Sequence, residues 1–146
     1  MKKLFTLLAF LTVCTFAQAQ ELGIRFGDVL GNNVAIDGLF NAGKFSRIHA
    51  NVSFGNDGVG IEALWDFLYR PLGNEAFNWY VGVGPSLGIF DPFVLGVSGE
   101  AGLEYTFNTV PISLSLDWRP TFVIVENTDF WAGGFGFNVR YVFNKK

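Results

Sequence analysis

Cysteine and histidine are nearly absent from this 146-residue chain, which contains one of each, Cys14 and His49. Cys14 lies in an N-terminal apolar segment that we expect to be removed, so the mature chain would contain no cysteine. Disulfide bonds and thiolate metal sites are then excluded. A single histidine without cysteine also argues against a transition-metal site. The sequence therefore predicts neither a metal site nor a cofactor.

Basic residues are also few. The chain has 10 lysines and arginines against 13 aspartates and glutamates, a formal net charge of −3. Loss of Lys2 and Lys3 with the N-terminal segment leaves 8 basic against 13 acidic residues, a net charge of −5. Domains that bind nucleic acid usually carry a basic patch, and this sequence has none. We therefore expect no nucleic acid partner.

Long apolar runs are confined to the N-terminus, although half of all residues are hydrophobic. A membrane-spanning helix needs about 20 consecutive apolar residues. The N-terminal run is shorter: two lysines precede apolar residues 4–16, and the small-residue motif Ala-Gln-Ala follows at 17–19. This order is typical of a secretory signal peptide. It predicts a cleaved segment at residues 1–19 and a single mature domain at residues 20–146.

Lipidation of Cys14 is a second way in which the N-terminus could be processed, because a cysteine after a short apolar run can accept a lipid. Val13 is bulkier than the residue expected before such a cysteine, and the motif at 17–19 lies downstream. Both features favour cleavage over lipidation.

The mature chain is rich in residues that favour sheets, since the sequence holds 17 phenylalanines and 18 glycines. Its last segment, residues 130–143 (FWAGGFGFNVRYVF), alternates apolar residues with small or polar ones. A period of two is typical of a β-strand with two unlike faces. Seven earlier segments alternate similarly: 22–28, 33–40, 46–54, 59–70, 78–90, 93–107 and 111–125. Short turns separate them, which predicts an all-β, eight-stranded antiparallel up-and-down barrel.

The length of the first two strand segments and the prolines within two later ones lead to further predictions. The first two segments have about eight residues, slightly fewer than the ~9–11 that cross a bilayer, and a turn is predicted at residues 31–33. Pro85 and Pro120 lie inside strand patterns and cannot donate ladder hydrogen bonds. Each proline therefore predicts a bulge or a local break.

Charged residues follow the same alternation. All five arginines fall on the face opposite the apolar one, together with six carboxylates and the histidine. The lysines lie outside the strand segments. An arginine facing lipid at the bilayer midplane costs ~2–4 kcal/mol, so a transmembrane strand should turn it inward. The predicted charge network of the lumen comprises Arg25, Asp37, Arg47, His49, Glu62, Asp66, Arg70, Glu100, Glu104, Asp117, Arg119 and Arg140.

This distribution predicts a transmembrane barrel whose apolar face meets lipid and whose lumen is plugged by ion pairs between arginines and carboxylates. Inward glycines would make room for the long charged side chains. Aromatic residues near the strand ends are expected at the two membrane interfaces: Phe54, Tyr69, Trp79, Phe107, Trp131 and Phe143.

Four further segments carry a resemblance: WYVGVGP at 79–85, GEAGLEYTF at 99–107, SLDWRP at 115–120 and RYVF at 140–143. With these motifs and the signal sequence, the chain resembles small outer-membrane β-barrel proteins of the OmpX and OmpW kind. The resemblance implies a location in the outer membrane, contact with its lipid, and assembly by the barrel-assembly machinery as a monomer. Tyr141 and Phe143 would be the aromatic pair of the terminal assembly signal.

Several residues invite a chemical interpretation. His49 and Ser53 could be the base and nucleophile of a lipid hydrolase, but residues four apart on a strand are ~13 Å apart. Ser113 or Ser115 could instead approach from another strand. Two carboxylate pairs, Glu100 with Glu104 and Glu62 with Asp66, suggest glycoside cleavage or cation binding, and Asp57, Asp91 and Asp129 suggest weak Ca²⁺ sites in loops. The simpler explanation is that the carboxylates pair with arginines, so no catalytic residue is predicted.

Three functions remain open at this point. The first is a structural or interaction protein of the outer membrane with a filled lumen. The second is a narrow channel for small or apolar solutes. The third is a soluble periplasmic barrel of the lipocalin kind, in which the apolar residues would face inward around a ligand.

Overall fold

The computed structural model describes residues 2–4, 6–7, 9–10, 20–56, 58–74, 76–125 and 128–143. The predicted cleavage motif at 17–19 and Cys14 lie outside the described residues, so the predicted signal peptide stays a prediction. The few described residues before position 11 are helical. Among the described residues, no helix is long and apolar enough to cross a membrane.

The described residues from 20 to 143 form ten β-strands. They are β1 (Glu21–Val29), β2 (Asn32–Asn41), β3 (Arg47–Gly55), β4 (Gly58–Pro71), β5 (Phe77–Ile89), β6 (Val94–Thr106), β7 (Ile112–Trp118), β8 (Thr121–Val125), β9 (Asp129–Trp131) and β10 (Phe135–Val142). Each strand from β1 to β6 pairs antiparallel with the next in sequence. The strands are held together by local hairpins, as the short turns of the sequence predict.

The sheet closes because β10 pairs antiparallel with both β1 and β7. Strands β7 and β8 both pair with β6, so they act as one long strand that is interrupted near Pro120. Strand β9 pairs with β8 and continues into β10. Counted in this way, the molecule is a closed eight-stranded antiparallel barrel, which confirms the predicted fold class apart from its membrane insertion. The break predicted at Pro120 is present.

Pro85 has a weaker effect than Pro120. Strand β5 runs through it and keeps its pairing with β6, where Pro85 lies opposite Val97. The pairing of β5 with β4 is interrupted between the pairs Trp65–Val83 and Glu62–Ser86, with the same register on both sides. Because proline has no N–H, the missing pairs lie where it would have to donate toward β4.

The first hairpin is tighter than predicted. Val29 pairs with Asn32, so the turn consists of Leu30 and Gly31 rather than residues 31–33. Both turn residues have positive φ, 54° and 90°, as in the two-residue turns that match the twist of a hairpin. The shorter turn leaves nine residues in β1 and ten in β2. Both strands therefore reach the length needed to cross a bilayer.

A bulge in β4 changes which side chains face inward. The register against β5 shifts between Trp65 and Leu68, so two residues of β4 stand opposite one of β5. Beyond the bulge Tyr69 pairs with the buried Tyr80, and Arg70 pairs with Trp79. Tyr69 therefore turns inward and Arg70 outward. The predicted positions of both residues, Arg70 in the lumen and Tyr69 at the outer interface, are wrong for this reason.

The barrel buries its charges and exposes its apolar side chains. Leu116 is 63% exposed and Trp65 54%, whereas Arg119 and Arg140 are 2% and 1% exposed. Exposed charges on residues 20–143, within the described part, are confined to turns and strand ends: Lys44, Arg70, Asp91 and Asp129. The outer surface between the strand ends is therefore an uncharged band of aliphatic and aromatic side chains.

Candidate functional site: the buried charge network

The alternation of the strands collects a charge network inside the barrel. Eleven of the twelve side chains predicted for the lumen are buried there, and Arg70 alone among the twelve is exposed. Two glycines show how the interior makes room for them. A Cβ at Gly136 would overlap the guanidinium of Arg25, and a Cβ at Gly102 would overlap the ring of Tyr80.

Arg47 forms the part of the network nearest to the two chain ends. Its Nε donates to Asp66 Oδ2 at 2.8 Å, and its Nη1 donates to Glu104 Oε2 at 3.0 Å. The guanidinium also lies against two aromatic rings, 4.1 Å from the centroid of Tyr69 and 4.7 Å from that of Tyr80. Tyr69 donates its hydroxyl to Glu104 at 2.8 Å. The inward turn of Tyr69 therefore closes a polar cluster around Arg47.

Arg140 links three carboxylates that come from three different strands. Its Nε donates to Glu21 at 3.0 Å, its Nη1 donates to Asp37 at 2.8 Å, and its Nη2 bonds to Glu104. A guanidinium presents five N–H donors in a planar fork, which suits it to bridge several carboxylates at once. Because β10 is also the strand that closes the barrel, Arg140 ties the closing strand to β1, β2 and β6.

His49 and Arg119 occupy the middle of the network. Arg119 donates to Glu100 and to Glu62, at 3.0 Å each, from two different nitrogens. His49 Nε2 bonds to Asp37, and His49 Nδ1 lies 3.1 Å from Glu100 Oε1. Arg119 Nη2 lies 3.2 Å from both ring nitrogens. Side chains of β2, β3 and β6, and Arg119 from the break between β7 and β8, thus meet at one histidine.

Arg25 forms the other end of the network. Its Nη1 bonds to Asp117, and its Nη2 lies 3.4 Å from the carbonyl oxygen of Gly134. Asp117 also accepts hydrogen bonds from the hydroxyl of Tyr80 at 3.1 Å and from the amide of Asn138 at 2.9 Å. Each charge in this part of the barrel is therefore held by neutral donors or acceptors in addition to its ion pair.

Negative charge exceeds positive charge inside the barrel. Among the residues that the structure describes, six carboxylates are fully buried, whereas four guanidiniums are. The sequence predicted a closer balance because it placed Arg70 inside. Four buried polar atoms of the described residues also lack a hydrogen-bond partner: Arg25 Nε, Arg47 Nη2, Asp66 Oδ1 and Asn138 Oδ1. The interior is therefore a hydrogen-bonded network with more carboxylates than guanidiniums, and its unpartnered atoms are two donors and two acceptors.

The serines proposed as nucleophiles have other partners. Ser53 Oγ accepts from Asn32 at 3.0 Å and lies within 3.4 Å of two backbone carbonyls. Ser113 donates to Glu21, and Ser115 accepts from Asn138. His49 contacts two carboxylates and a guanidinium, so the structure does not assemble a serine–histidine pair from these residues.

The loop aspartates suggested as Ca²⁺ ligands are dispersed. Asp57 lies outside the described residues, and Asp91 is exposed in the turn between β5 and β6. Asp129 accepts hydrogen bonds from its neighbours, the backbone N–H of Phe130 and the indole N–H of Trp131. Asp91 therefore lies in a turn, whereas Asp129 begins strand β9.

The charge network predicted from the sequence left out neutral residues that complete it. Ser98 donates to Glu62 at 3.1 Å and lies 2.7 Å from the hydroxyl of Thr121. Asn51 is fully buried beside the charged side chains. Strand parity predicts the inward direction of Asn51 and Ser98, because they alternate with apolar residues on β3 and β6. Thr121 follows the break at Pro120, where parity cannot be carried forward.

A cavity of about 550 Å³ opens at the end of the barrel where Gln20 and Val142 lie. Gln20, Asn41, Lys44, Arg47 and Tyr69 contribute to its wall. Arg47 and Tyr69 both bond to Glu104, so the cavity borders the charge network directly.

Comparison of the chain with models of protein families, with curated proteins and with solved structures finds no match.

Proposed function

We propose that this protein is an integral outer-membrane β-barrel with a filled lumen and a structural or interaction role. One observation carries the proposal: the apolar side chains face outward and the charged ones inward, on a closed barrel. An uncharged apolar band of this extent is unfavourable in water, because soluble monomers rarely expose apolar patches beyond a few hundred Å². In a bilayer the same band contacts the acyl chains of lipids, which avoids the cost of exposing apolar surface to water.

Backbone closure supports the same environment. A strand edge in hydrocarbon leaves N–H and C=O groups without partners, which is why only helices and closed barrels span membranes. Here β10 pairs with β1 over seven residue pairs and closes the sheet. Strands β4, β5 and β6 have 14, 13 and 13 residues, enough to cross a bilayer at the usual tilt.

The interior favours a filled lumen over the two alternative functions. A carrier of the lipocalin kind would turn apolar side chains toward a ligand, whereas this interior holds arginines and carboxylates. A channel needs a continuous path of water, but Arg47, Arg119 and Arg140 cross the interior to reach carboxylates on other strands. An eight-stranded barrel is only wide enough for side chains to fill.

Cell fractionation of the full chain tests the location. An outer-membrane protein sediments with the outer membrane and needs detergent for release, whereas a periplasmic carrier appears in the soluble fraction without detergent. Recovery of the folded protein in that soluble fraction would overturn the proposal.

Single-channel recording in planar bilayers tests the filled lumen. The wild-type barrel is expected to pass negligible current, because its interior ion pairs exclude a water path. Stable unitary currents from the wild-type protein would favour the narrow channel instead. The location and the filled lumen can therefore fail independently.

A further inference from the structure

We propose that His49, Asp66 and Glu100 form a buried binding site for one divalent transition-metal ion such as Zn²⁺. The three side chains come from β3, β4 and β6, and one potential ligand atom from each lies within 4.8 Å of the other two. All three residues are buried. Imidazole and carboxylate are ligands that Zn²⁺ accepts in proteins.

The first support is a pair of acceptors that face each other. His49 Nε2 bonds to the Asp37 carboxylate, which can only accept, so the ring proton belongs on Nε2. His49 Nδ1 then presents a lone pair to Glu100 Oε1 at 3.1 Å. Arg119 Nη2 lies at the same distance, 3.2 Å, from both ring nitrogens, so it does not lie along the lone pair of Nδ1. The two facing acceptors repel each other unless a cation lies between them. Ligand bonds of ~2.0–2.2 Å to one Zn²⁺ ion bring an imidazole nitrogen and a carboxylate oxygen to about this separation.

The second support is the unpartnered oxygen of Asp66. Its Oδ2 accepts from Arg47 at 2.8 Å, while its Oδ1 is buried without a hydrogen-bond partner. Gly82 leaves the space that this oxygen occupies, since a Cβ there would overlap it. A buried carboxylate oxygen without a donor is costly. The Glu100 carboxyl lies beside that of Asp66, so a metal ion bound by both, or a proton shared by both, would supply the missing partner.

The third support is the charge of the interior. Six buried carboxylates and four buried guanidiniums leave two negative charges when His49 is neutral. A divalent cation would neutralise them. Asp37 would orient the imidazole from its far side, the arrangement in which a carboxylate fixes the ring of a metal-bound histidine.

Protons are the competing occupants of the site. One on His49 would place an imidazolium between Asp37 and Glu100, and one on Asp66 would form a hydrogen bond to Glu100. Zinc analysis and nitrogen NMR separate the metal ion from these protons. The mature chain, made without a histidine tag, is refolded in detergent with Zn²⁺ or with a chelator, desalted and analysed for metal. We expect about one Zn²⁺ per folded chain after refolding with zinc, as for a single specific site.

Two variants locate the ion. Asp66→Asn keeps the shape of the side chain and removes the ligand charge, so the zinc content should fall to background. Glu62→Gln is the matched control, because Glu62 is a buried carboxylate that bonds to Arg119 and Ser98 and lies outside the proposed site. It should keep its zinc. A gel-mobility shift on heating restricts the comparison to chains that have folded.

Nitrogen NMR gives an independent result, since the chain has a single histidine and hence one imidazole signal pair. In the zinc-refolded protein we expect a neutral ring, protonated on Nε2 and metal-bound through Nδ1. Equal zinc in wild type and Asp66→Asn, no zinc in the wild type, or an imidazolium spectrum after refolding with zinc would each overturn the site.

Discussion

At the scale of single residues, the inside and outside of the barrel give the same residue type opposite roles. Arg47 is buried between two tyrosine rings and bonds to Asp66 and Glu104. Arg70 is exposed, with its guanidinium 4.1 Å from the ring centroid of Phe45. Arg47 therefore bonds to carboxylates in the interior, whereas Arg70 lies on the outside at a strand end.

Arg47→Ala and Arg70→Ala measure that difference. Removing Arg47 leaves two buried carboxylates short of a partner, and breaking a buried pair costs ~3–5 kcal/mol of folding free energy. Removing Arg70 loses an exposed cation–π contact, which contributes ~0.5–1 kcal/mol. Urea unfolding in lipid vesicles, followed by tryptophan fluorescence, gives both values. Equal losses for the two variants would contradict the assignment of Arg47 to the interior.

A substitution at Gly136 tests how closely the interior packs around Arg25. Gly136→Ala would push a methyl group into the guanidinium of the buried Arg25, and such overpacking costs ~1–3 kcal/mol. Gly133→Ala is its control, since a Cβ there would have no atom within 4 Å. Unfolding free energies of the two variants should differ by that amount. A Gly136→Ala protein as stable as Gly133→Ala would show that Arg25 has room to move.

At the scale of strands, period-two alternation predicted most of the fold and most of the buried charges. Each strand has one face inside, so a single residue of known direction fixes the direction of its neighbours. The inference fails where the backbone gains a residue. The bulge before Leu68 reverses the direction of Tyr69 and Arg70. Its sequence, Asp66-Phe67, contains neither the glycine nor the proline from which a bulge could have been predicted.

Turns and breaks could be predicted only where they contain residues that favour that backbone geometry. The break at Pro120 follows from the missing N–H of proline. The Leu30-Gly31 turn is different, since leucine seldom adopts the positive φ that this turn requires. Leu30 is buried. Contacts made in the folded barrel therefore stabilise a turn that local sequence disfavours, and they cannot be read from the sequence.

The closing strand gives a prediction at this scale. Tyr141 and Phe143 lie exposed on the same side of the end of β10, with ring centroids 5.1 Å apart. If this pair is the signal for the barrel-assembly machinery, the double variant Tyr141→Ala/Phe143→Ala should accumulate less folded protein in the outer membrane. Heat-modifiable gel mobility of membrane fractions measures the folded share. The double variant Phe122→Ala/Ile124→Ala, on an exposed face of β8, is the control. Equal loss in both would remove the special role of the terminal pair.

At the scale of the whole molecule, the barrel has the reverse of the side-chain distribution of a soluble protein, with charged residues inside and apolar residues outside. Its polar network connects strands across the interior, while the surface between the strand ends carries aliphatic and aromatic side chains. Ion pairs in such an interior are not a strong source of stability by themselves, but they are specific in geometry. The apolar surface is what the proposed contact with lipid requires. The arrangement of the interior and that of the exterior are therefore separate arguments for the proposed membrane location.

Contact between the outward face and lipid is the central claim, and a single introduced thiol measures it. The predicted mature chain lacks cysteine, so Leu116→Cys provides one labelling site on the exposed band of β7. A fluorophore attached there, on protein folded into vesicles, should be quenched by lipids that carry a quencher on their acyl chains and protected from iodide in the water. Strong quenching by iodide without quenching by the labelled lipids would contradict the account.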